Sequence, residues 1–359
     1  MSTPPRFHRL GISEIRHETA QTVSVQFAVP AELQAAYRFE PGQYLTLRTR
    51  IDNEDVRRSY SICSAPNDGR LRVAVRKVEG GLLSTWLHDV VKPGDTLDVM
   101  TPTGRFGLGG NAIDGRLHVG FAAGSGITPI LSIIHGVLSR EPASAFSLFY
   151  GSRSVDEILF RQELEDLKDI HLGRLSVFHA LSREQQEIPI LNGHLDAAKI
   201  RALLGGIVPA DAIDHVFICG PAPMIETTQA TLRELGVAAD RIHVERFVSV
   251  HDGAPLRPIS VNTEAAAACV AVITLDGQTR TAPMAAGETI LDAALRAGID
   301  LPFACKGGMC ATCRARVVEG AVVMAMNYSL EPWELEQGFV LTCQARPVTA
   351  RVVVDFDAL

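Results

Sequence analysis

The chain of 359 residues has no run of 18 apolar residues and no secretory pattern in its first 30, so neither a membrane helix nor an export signal is expected. It also lacks a basic block or stripe, and its net charge of −7 disfavours a nucleic-acid partner. Cysteine does not form a disulfide framework. Of seven cysteines, Cys63, Cys219 and Cys269 fall at unrelated spacings, which points to a reducing cytoplasm. Apolar material, by contrast, is ample: hydrophobic residues make up 47% and charged residues 21%, enough to bury a sizeable core. The length suits two or three domains.

The other four cysteines carry the strongest pattern. Cys305, Cys310, Cys313 and Cys343 read C-x4-C-x2-C-x29-C, the ligand spacing of a plant-type [2Fe–2S] cluster. Gly307 and Gly308 suit a tight loop that must place three thiolates around one cluster, because glycine adopts positive φ without steric cost. A zinc site is the competing reading, but zinc pairs normally come with a second matching pair or with histidines. Here one short pair is followed by a lone distant cysteine. A cluster of this kind moves one electron at a time, so the chain needs a donor and an acceptor for it.

From Phe7 to about Met100, short alternating runs broken by Gly and Pro predict antiparallel strands of a small β-barrel, among them Thr22–Ala28, Gln43–Arg48 and Arg70–Arg76. Arg58 and Tyr60 lie two apart on one strand and share a face, followed by Ser61. A guanidinium for phosphate and a ring to stack suit a flavin. An ordinary strand with an outward Arg and a core Tyr reads equally well. Next, Gly80-Gly81 leads into a helical run through Ser84 and Thr85, either an anion site or a simply capped helix. A glycine-rich stretch, residues 102–110, is expected to leave the barrel.

From Arg116 strands alternate with helices, which predicts a parallel sheet. The apolar strand Leu117–Ala123 runs into Gly124-Ser-Gly126-Ile-Thr128-Pro129, a G-x-G-x-x-P turn that opens a helix and suits a pyrophosphate. The next strand ends in Ser152 and Arg153, with no acid before Asp156; such an Arg suits the 2′-phosphate of NADPH, with Arg161 one helical face on, the alternative being a solvated loop Arg. Cys219 closes a later strand, on the side where such sheets bind ligands, although a buried structural thiol is the commoner fate. Glu245 and Phe247 alternate onto one side of the last strand, where a surface Glu and a core Phe are the plain alternative.

Residues 249–268 combine Pro, Gly and an alanine run without apolar period and read as a linker. Beyond it, Asp276-Gly277 is a strong hairpin signal and Ile290–Arg296 a short helix stopped by Gly298, while the acidic Glu331–Glu336 could help dock a partner but reads better as a solvated turn.

Arg58-x-Tyr60-Ser61 with Gly80-Gly81-x-x-Ser84, the G-x-G-x-x-P turn and Cys219-Gly220 together resemble the ferredoxin–NADP reductase superfamily. That resemblance implies FAD, with Arg58 on its diphosphate, Tyr60 stacked on its ring, and Gly81, Ser84 and Thr85 supporting the diphosphate. It implies NADPH on Gly124, Gly126, Thr128, Pro129, Ser152 and Arg153. It places Ser61 near the flavin, Cys219 beside the nicotinamide, Glu245 by Ser61, and Phe247 over the flavin face. Many members end near that last position with a Tyr, whereas this chain continues for 112 residues. The remainder resembles plant-type ferredoxin, a β-grasp α+β fold.

The loop Phe303-Ala-Cys305-Lys-Gly-Gly, the segment Asn327–Glu334 and Gly338–Pro347 are similar to the reductases of bacterial phenylacetyl-CoA epoxidases and of related Rieske and di-iron aromatic or steroid oxygenases. The implied plan is an FAD-binding β-barrel domain over 1–110, an α/β nicotinamide domain over 111–248, the linker, and a ferredoxin domain over 269–359. Electrons would pass from NADPH through FAD and [2Fe–2S] to an oxygenase component of a multisubunit complex. The rival is a passive electron carrier with an unused nicotinamide site.

Overall fold

The alternating runs of the N-terminal third do form strands. In the computed structural model, which describes residues 5–66, 68–108, 113–247 and 269–358, they are β1 (Phe7–Thr19), β2 (Thr22–Ala28), β3 (Tyr44–Ile51), β4 (Glu54–Ser61), β5 (Leu71–Arg76) and β6 (Thr96–Met100). Their order in one sheet is β4-β3-β6-β1-β2-β5, with antiparallel β1–β2, β2–β5 and β3–β6 pairs. A bridge between Ile62 and Val73 returns the chain leaving β4 to β5, so the sheet closes toward a barrel. Valines oppose one another across β2 and β5, Val23 with Val75 and Val25 with Val73, and all four are fully buried. Helix α1 (Leu82–Asp89) adds Leu83 and Leu87, spaced i and i+4, to the same core. The predicted linker 249–268 and the end of the glycine-rich stretch, 109–110, lie outside the described residues.

The middle of the chain supplies β7 (Leu117–Ala123), α2 (Ile127–Arg140), β8 (Ala145–Ser152), α3 (Arg161–Ile170), β9 (Leu175–Leu181), α4 (Ala197–Gly206), β10 (His215–Gly220), α5 (Ala222–Glu234) and β11 (Ile242–Arg246). The five strands are all parallel in the order β11-β10-β7-β8-β9. Helices cover both faces, which is why β7, β8 and β10 are nearly continuous apolar runs rather than alternating ones. Chain order reverses at β7, and the crevice outside its carboxyl end is where open α/β sheets bind ligands. The barrel and the parallel sheet share one compact unit, His8–Val56 with Tyr60–Phe247. One core cluster spans both, joining Cys63, Ala74 and Phe106 to Ile130, Ile134 and Cys219.

The second unit holds the C-terminal residues. Here β12 (Cys269–Leu275), β13 (Gln278–Met284), β14 (Arg314–Glu319), β16 (Phe339–Leu341) and β18 (Arg351–Asp355) form a mixed sheet in the order β13-β12-β18-β14-β16. The pair β15 (Val322–Met324) and β17 (Ala345–Pro347) stands apart, with α6 (Ile290–Arg296) and α7 (Pro332–Glu336) completing the fold. Asp276 and Gly277 both have positive φ, 53° and 70°, as a two-residue hairpin turn demands. The segment expected as a solvated turn, Glu331–Glu336, is instead α7 with a full capping box. Its Glu334 is buried and ion-paired to Arg314 at 2.7 Å, so an acid that looked like surface is part of the core.

Two glycines should respond very differently to alanine. A Cβ on Gly42 would stand 1.5 Å from the Phe106 carbonyl oxygen, so Gly42→Ala must displace backbone and should remove most soluble protein. Gly277 has open space around it, and Gly277→Ala should cost only about 1–2 kcal/mol, the left-handed penalty, in a denaturant titration read on the C-terminal unit.

Candidate functional site

The cluster loop lies between α6 and β14. Its backbone takes positive φ at Lys306 (51°), Gly308 (75°) and Ala311 (49°), so Gly308 serves as expected, while Gly307 does not and two residues with side chains share the strain. Gly308 is also crowded, since a Cβ there would meet the Met326 carbonyl oxygen at 3.0 Å. The Gly307 amide points at Cys305 Sγ at 3.3 Å. Gln344 Nε2 holds the Lys306 carbonyl at 2.8 Å, and Thr342 donates to the Cys313 carbonyl from both its amide, at 3.1 Å, and its hydroxyl, at 2.9 Å.

The four sulfurs fall into two hydrogen-bonded pairs, Cys305 with Cys310 and Cys313 with Cys343. Within each pair one thiol is held down and the other pushed up. The Cys310 hydrogen bond lowers Cys305, helped by backbone amides, while the same contact and burial raise Cys310. Among the described residues no three metal-ligating side chains converge on the point a single ion would need. Two pairs of cysteines instead match a binuclear cluster, which takes two protein thiolates per iron. The residues fit a [2Fe–2S] centre.

The second site lies where β4 meets the carboxyl edge of the parallel sheet. Ser61, the last residue of β4, donates its hydroxyl to Glu245 Oε2 at 2.9 Å. On β11 Glu245 stands in register beside Cys219, the fully buried end of β10. Burial drives both groups toward their neutral forms. The Cys219 thiol is raised well above its ordinary value by burial and then by Glu245. Glu245 as a residue is partly exposed, but burial of its carboxyl pushes the pKa up to about 8 against the pull of the Ser61 bond. The fold thus brings together the three residues expected at the flavin–nicotinamide junction. Phe247 follows β11 and is 37% exposed.

On β4 Arg58 is exposed and Tyr60 half-buried against the barrel core; one Arg58 nitrogen donates to the Arg57 carbonyl at 2.7 Å. Helix α1 starts at Gly81 with no side-chain cap, because Ser84 Oγ accepts from the Val78 amide at 3.2 Å and donates to the Gly81 carbonyl. Thr85 uses its amide to bond Gly81 at 3.1 Å. The simple capped-helix alternative therefore fails, and the first amides of α1 are left without a side-chain acceptor.

The turn after β7 is built the same way. Gly124–Gly126 forms a single 3-10 turn into α2, which also has no side-chain cap. Thr128 bonds back to the Ser125 carbonyl at 3.0 Å, and Pro129, in the first turn, has no amide to satisfy. A Cβ on Gly126 would lie 2.1 Å from the Cys219 carbonyl oxygen, so the turn closes onto the end of β10 only with glycine. Ser152 ends β8 buried, and Arg153 beyond it is 47% exposed with only a loose 3.6 Å pairing to Glu157. Arg161 does not join them: it pairs with Glu165 along α3 at 2.9 Å.

Two residues were not singled out from the sequence. Arg76, the end of β5, places its guanidinium 3.7 Å from where a Cβ of residue 124 would stand, overhanging the glycine turn. Tyr150, wholly buried, donates to the Gly124 carbonyl at 3.0 Å and accepts from the Leu159 amide at 3.2 Å, tying that turn to the chain after β8. A cation at the end of a strand just before Gly80-Gly81 was the available signal for Arg76. Tyr150 gave none, because a tyrosine in a buried strand reads as core.

Comparison with known proteins agrees with this geometry. Residues 10–107 match an oxidoreductase FAD-binding domain, 121–230 an oxidoreductase NAD-binding domain, and 273–348 a 2Fe-2S iron-sulfur cluster binding domain. The chain is 45% identical over 353 residues to a component of the 1,2-phenylacetyl-CoA epoxidase of Escherichia coli (strain K12), covering 98% of each. It is 35% identical to the ferredoxin reductase component of 3-ketosteroid-9-alpha-monooxygenase from Rhodococcus rhodochrous, over 97% of this chain and 96% of that one. The fold also matches the crystal structure of phthalate dioxygenase reductase, with a TM-score of 0.57 and 21% identity over 97% and 98% of the two chains. No helix among the described residues is long and apolar enough to cross a membrane. The chain therefore belongs to the family of three-domain ferredoxin reductases, NAD(P)H-dependent oxidoreductases with FAD and [2Fe–2S] centres that serve oxygenases as their reductase components.

Proposed function

We propose that this protein is the NADPH-dependent reductase of a phenylacetyl-CoA epoxidase, working in the cytoplasm as part of a multisubunit oxygenase complex. What carries the reading is the meeting of Ser61, Glu245 and Cys219 at the switch point of the parallel sheet. The choice of acceptor leans on the extent of the likeness to the Escherichia coli protein. The domain limits that fit are 1–110 for flavin, 111–248 for nicotinamide and 269–359 for the cluster, with 249–268 joining the last two.

Bound together, FAD takes a hydride from the nicotinamide and the cluster passes electrons on singly. The chain's own residues position these groups. Arg58 and the open start of α1 at Gly81, Ser84 and Thr85 would hold the FAD diphosphate, with Tyr60 against the ring. The Gly124–Gly126 turn, Thr128 and Pro129 at the start of α2, and the overhanging Arg76 would take the nicotinamide pyrophosphate. Ser152 and Arg153 would take the 2′-phosphate. Phe247 would shield the flavin face until nicotinamide arrives. Cys219, neutral and packed, shapes the nicotinamide pocket without acting as a nucleophile. Glu245 holds a proton near neutrality while its Oε2 accepts from the Ser61 hydroxyl, which fixes the orientation of Ser61 at the junction. Cys305, Cys310, Cys313 and Cys343 would ligate iron.

The central experiment mixes the protein anaerobically with NADPH and follows flavin and cluster absorbance. Rapid bleaching of both, followed by epoxide formation when the oxygenase components and phenylacetyl-CoA are added, supports the reading; absence of flavin bleaching identifies a passive carrier. Cys310→Ser should retain flavin reduction while losing the cluster spectrum and all oxygenase turnover. Arg153→Ala should raise KM for NADPH by about tenfold, the scale of one charge-assisted phosphate contact, with little change for NADH. An equal effect on both nucleotides removes Arg153 from the 2′-phosphate site.

Glu245 gives a pH test. Its folded pKa of about 8 exceeds the ordinary carboxyl value of 4.5, so the folded state holds a proton that the unfolded state gives up. Stability must then fall as pH rises between those two values, by about 1.4 kcal/mol for each pH unit crossed. Glu245→Gln should therefore melt higher relative to the parent at pH 8 than at pH 5. A melting difference independent of pH would show that Glu245 is not protonated in the fold.

A further inference from the structure

Gln344 follows the fourth cysteine, between β16 and β17, and is buried. Its backbone is fixed on both sides, the amide donating to the Leu341 carbonyl at 2.8 Å and the carbonyl accepting from the Ala325 amide at 3.2 Å. From that fixed start the side chain runs against the cluster loop, where a Cβ on Gly308 would meet its Cγ at 3.3 Å. Nε2 donates twice, to the Lys306 carbonyl at 2.8 Å and to Cys343 Sγ at 3.8 Å. A carbonyl only accepts, so the Lys306 bond fixes which end of the side-chain amide is nitrogen and leaves its second hydrogen for the sulfur.

The Lys306 bond also reaches a second sulfur. The Lys306 carbonyl and the Gly307 amide belong to one peptide unit, and in a trans peptide these two groups point in opposite directions. Holding the oxygen at Gln344 thus aims the Gly307 N–H, which meets Cys305 Sγ at 3.3 Å. Lys306 needs such a restraint, because its φ of 51° is a conformation that a residue with a side chain adopts at a cost. One side-chain amide so serves one sulfur of each pair, Cys343 directly and Cys305 through the peptide. The loop has other anchors as well: Thr342 holds the Cys313 carbonyl by amide and hydroxyl, and the Tyr328 amide holds the Gly308 carbonyl at 3.0 Å. Gln344 is therefore not what closes the loop.

We infer that Gln344 is a positioning residue that raises the reduction potential of the [2Fe–2S] centre. The inference rests on the reading that the four cysteines ligate that centre. One-electron reduction adds one negative charge, which the sulfur ligands share, and N–H groups aimed at those sulfurs stabilise the reduced form more than the oxidised one. The buried setting strengthens the effect, since a hydrogen bond is electrostatically stronger where water is excluded. A higher cluster potential makes transfer from the reduced flavin more favourable and leaves less driving force toward the acceptor.

The test uses the full-length holoprotein with Gln344→Leu, which removes both donors at similar volume, and Gln344→Glu, which puts a carboxyl group of the same shape in their place. An anaerobic potentiometric titration reads the cluster by its absorbance and by the EPR signal of the reduced centre, with the flavin midpoint in the same samples as control. Gln344→Leu should lower the equilibrium constant for cluster reduction by about tenfold, the scale on which an outer hydrogen-bond partner acts, or about 59 mV for one electron. Gln344→Glu should lower it further, and neither should move the flavin midpoint. A parental cluster potential in both variants overturns the inference, even where the cluster is lost faster, because faster loss alone is what a merely structural role produces. An equal fall in the flavin and cluster potentials overturns it too. Where Leu does not retain the cluster, Gln344→Met keeps the length of the side chain without a donor: a lowered potential there supports the inference and a parental one overturns it. A parent protein with neither cluster absorbance nor an EPR signal after reduction would instead remove the cysteines from the role of iron ligands.

Discussion

The hydrogen bond from Ser61 to Glu245 is the contact that the seam of the larger unit is built to hold. It joins the last residue of a barrel strand to the last strand of the parallel sheet at 2.9 Å. Hydride transfer tolerates little error, since reacting atoms must approach to about 3–3.5 Å. Two separately cored domains could not hold that distance through one hydroxyl, and the seam behind Ser61 is built accordingly. Arg72 of the barrel grips Glu163 of α3 at 2.6 Å, and His135 of α2 binds the same carboxylate at 2.9 Å. Burial opposes ionisation of Glu163, yet the His135 bond and the Arg72 charge hold it down at about 2. Ser132 bonds the Ser64 carbonyl at 2.9 Å, and apolar residues from both sheets fill the space between. The seam fixes the geometry; Ser61 and Glu245 use it.

The way helices begin separates structural ends from functional ones. Helix α4 is capped by Asp196, α6 by Thr289, and α7 by its capping box, each satisfying an amide that would otherwise be orphaned. Helices α1, α2 and α5 begin at Gly81, Gly126 and Pro221 with no side-chain cap. All three of those starts adjoin residues proposed above to serve the cofactors. Apart from α3, entered through left-handed Phe160, the division is complete among the described helices. Leaving amides open costs stability, about 1 kcal/mol for each missing cap, a cost that the proposed function would account for at α1 and α2, where a cofactor diphosphate would supply the acceptor.

Much of this was legible in the sequence, for a reason that varies with the residue. The four cluster cysteines could be read because three ligands sit within nine residues and their spacing is set by local loop geometry. The hairpin at Asp276-Gly277 and the glycine turn at Gly124–Gly126 were legible for the same reason, as both are short-range backbone demands. Ser61, Glu245 and Cys219 became a site only through family resemblance, because nothing local to each says that they meet. Arg72, Glu163 and Tyr150 were not legible at all: their roles are long-range contacts between residues that look ordinary where they stand. The acidic segment 331–336 misled in the opposite direction. Three glutamates read as solvated surface, and only the fold shows that Glu334 turns inward to Arg314. Positive φ at Lys306 and Ala311 was hidden too, since no composition rule marks a strained residue that is not glycine.

The two units face different physical demands, and their cores reflect it. Moving a hydride is a contact reaction, so the flavin and nicotinamide domains share a buried cluster of side chains that reaches from Cys63 to Cys219. Moving a single electron needs proximity but no shared orbital contact with side chains, and the cluster-bearing unit closes its own core from Ala271 to Phe356. Within that core Cys313 and Cys343 are buried while Cys305 and Cys310 are half-exposed. A [2Fe–2S] centre held by these four residues would have a drier side at Cys313 and Cys343 and a wetter one at Cys305 and Cys310. Both pairs nevertheless meet donors that stabilise thiolate, the Gly307 amide at Cys305 Sγ and Gln344 Nε2 at Cys343 Sγ, so the loop is ready to hold negative sulfur on its buried as well as its exposed side.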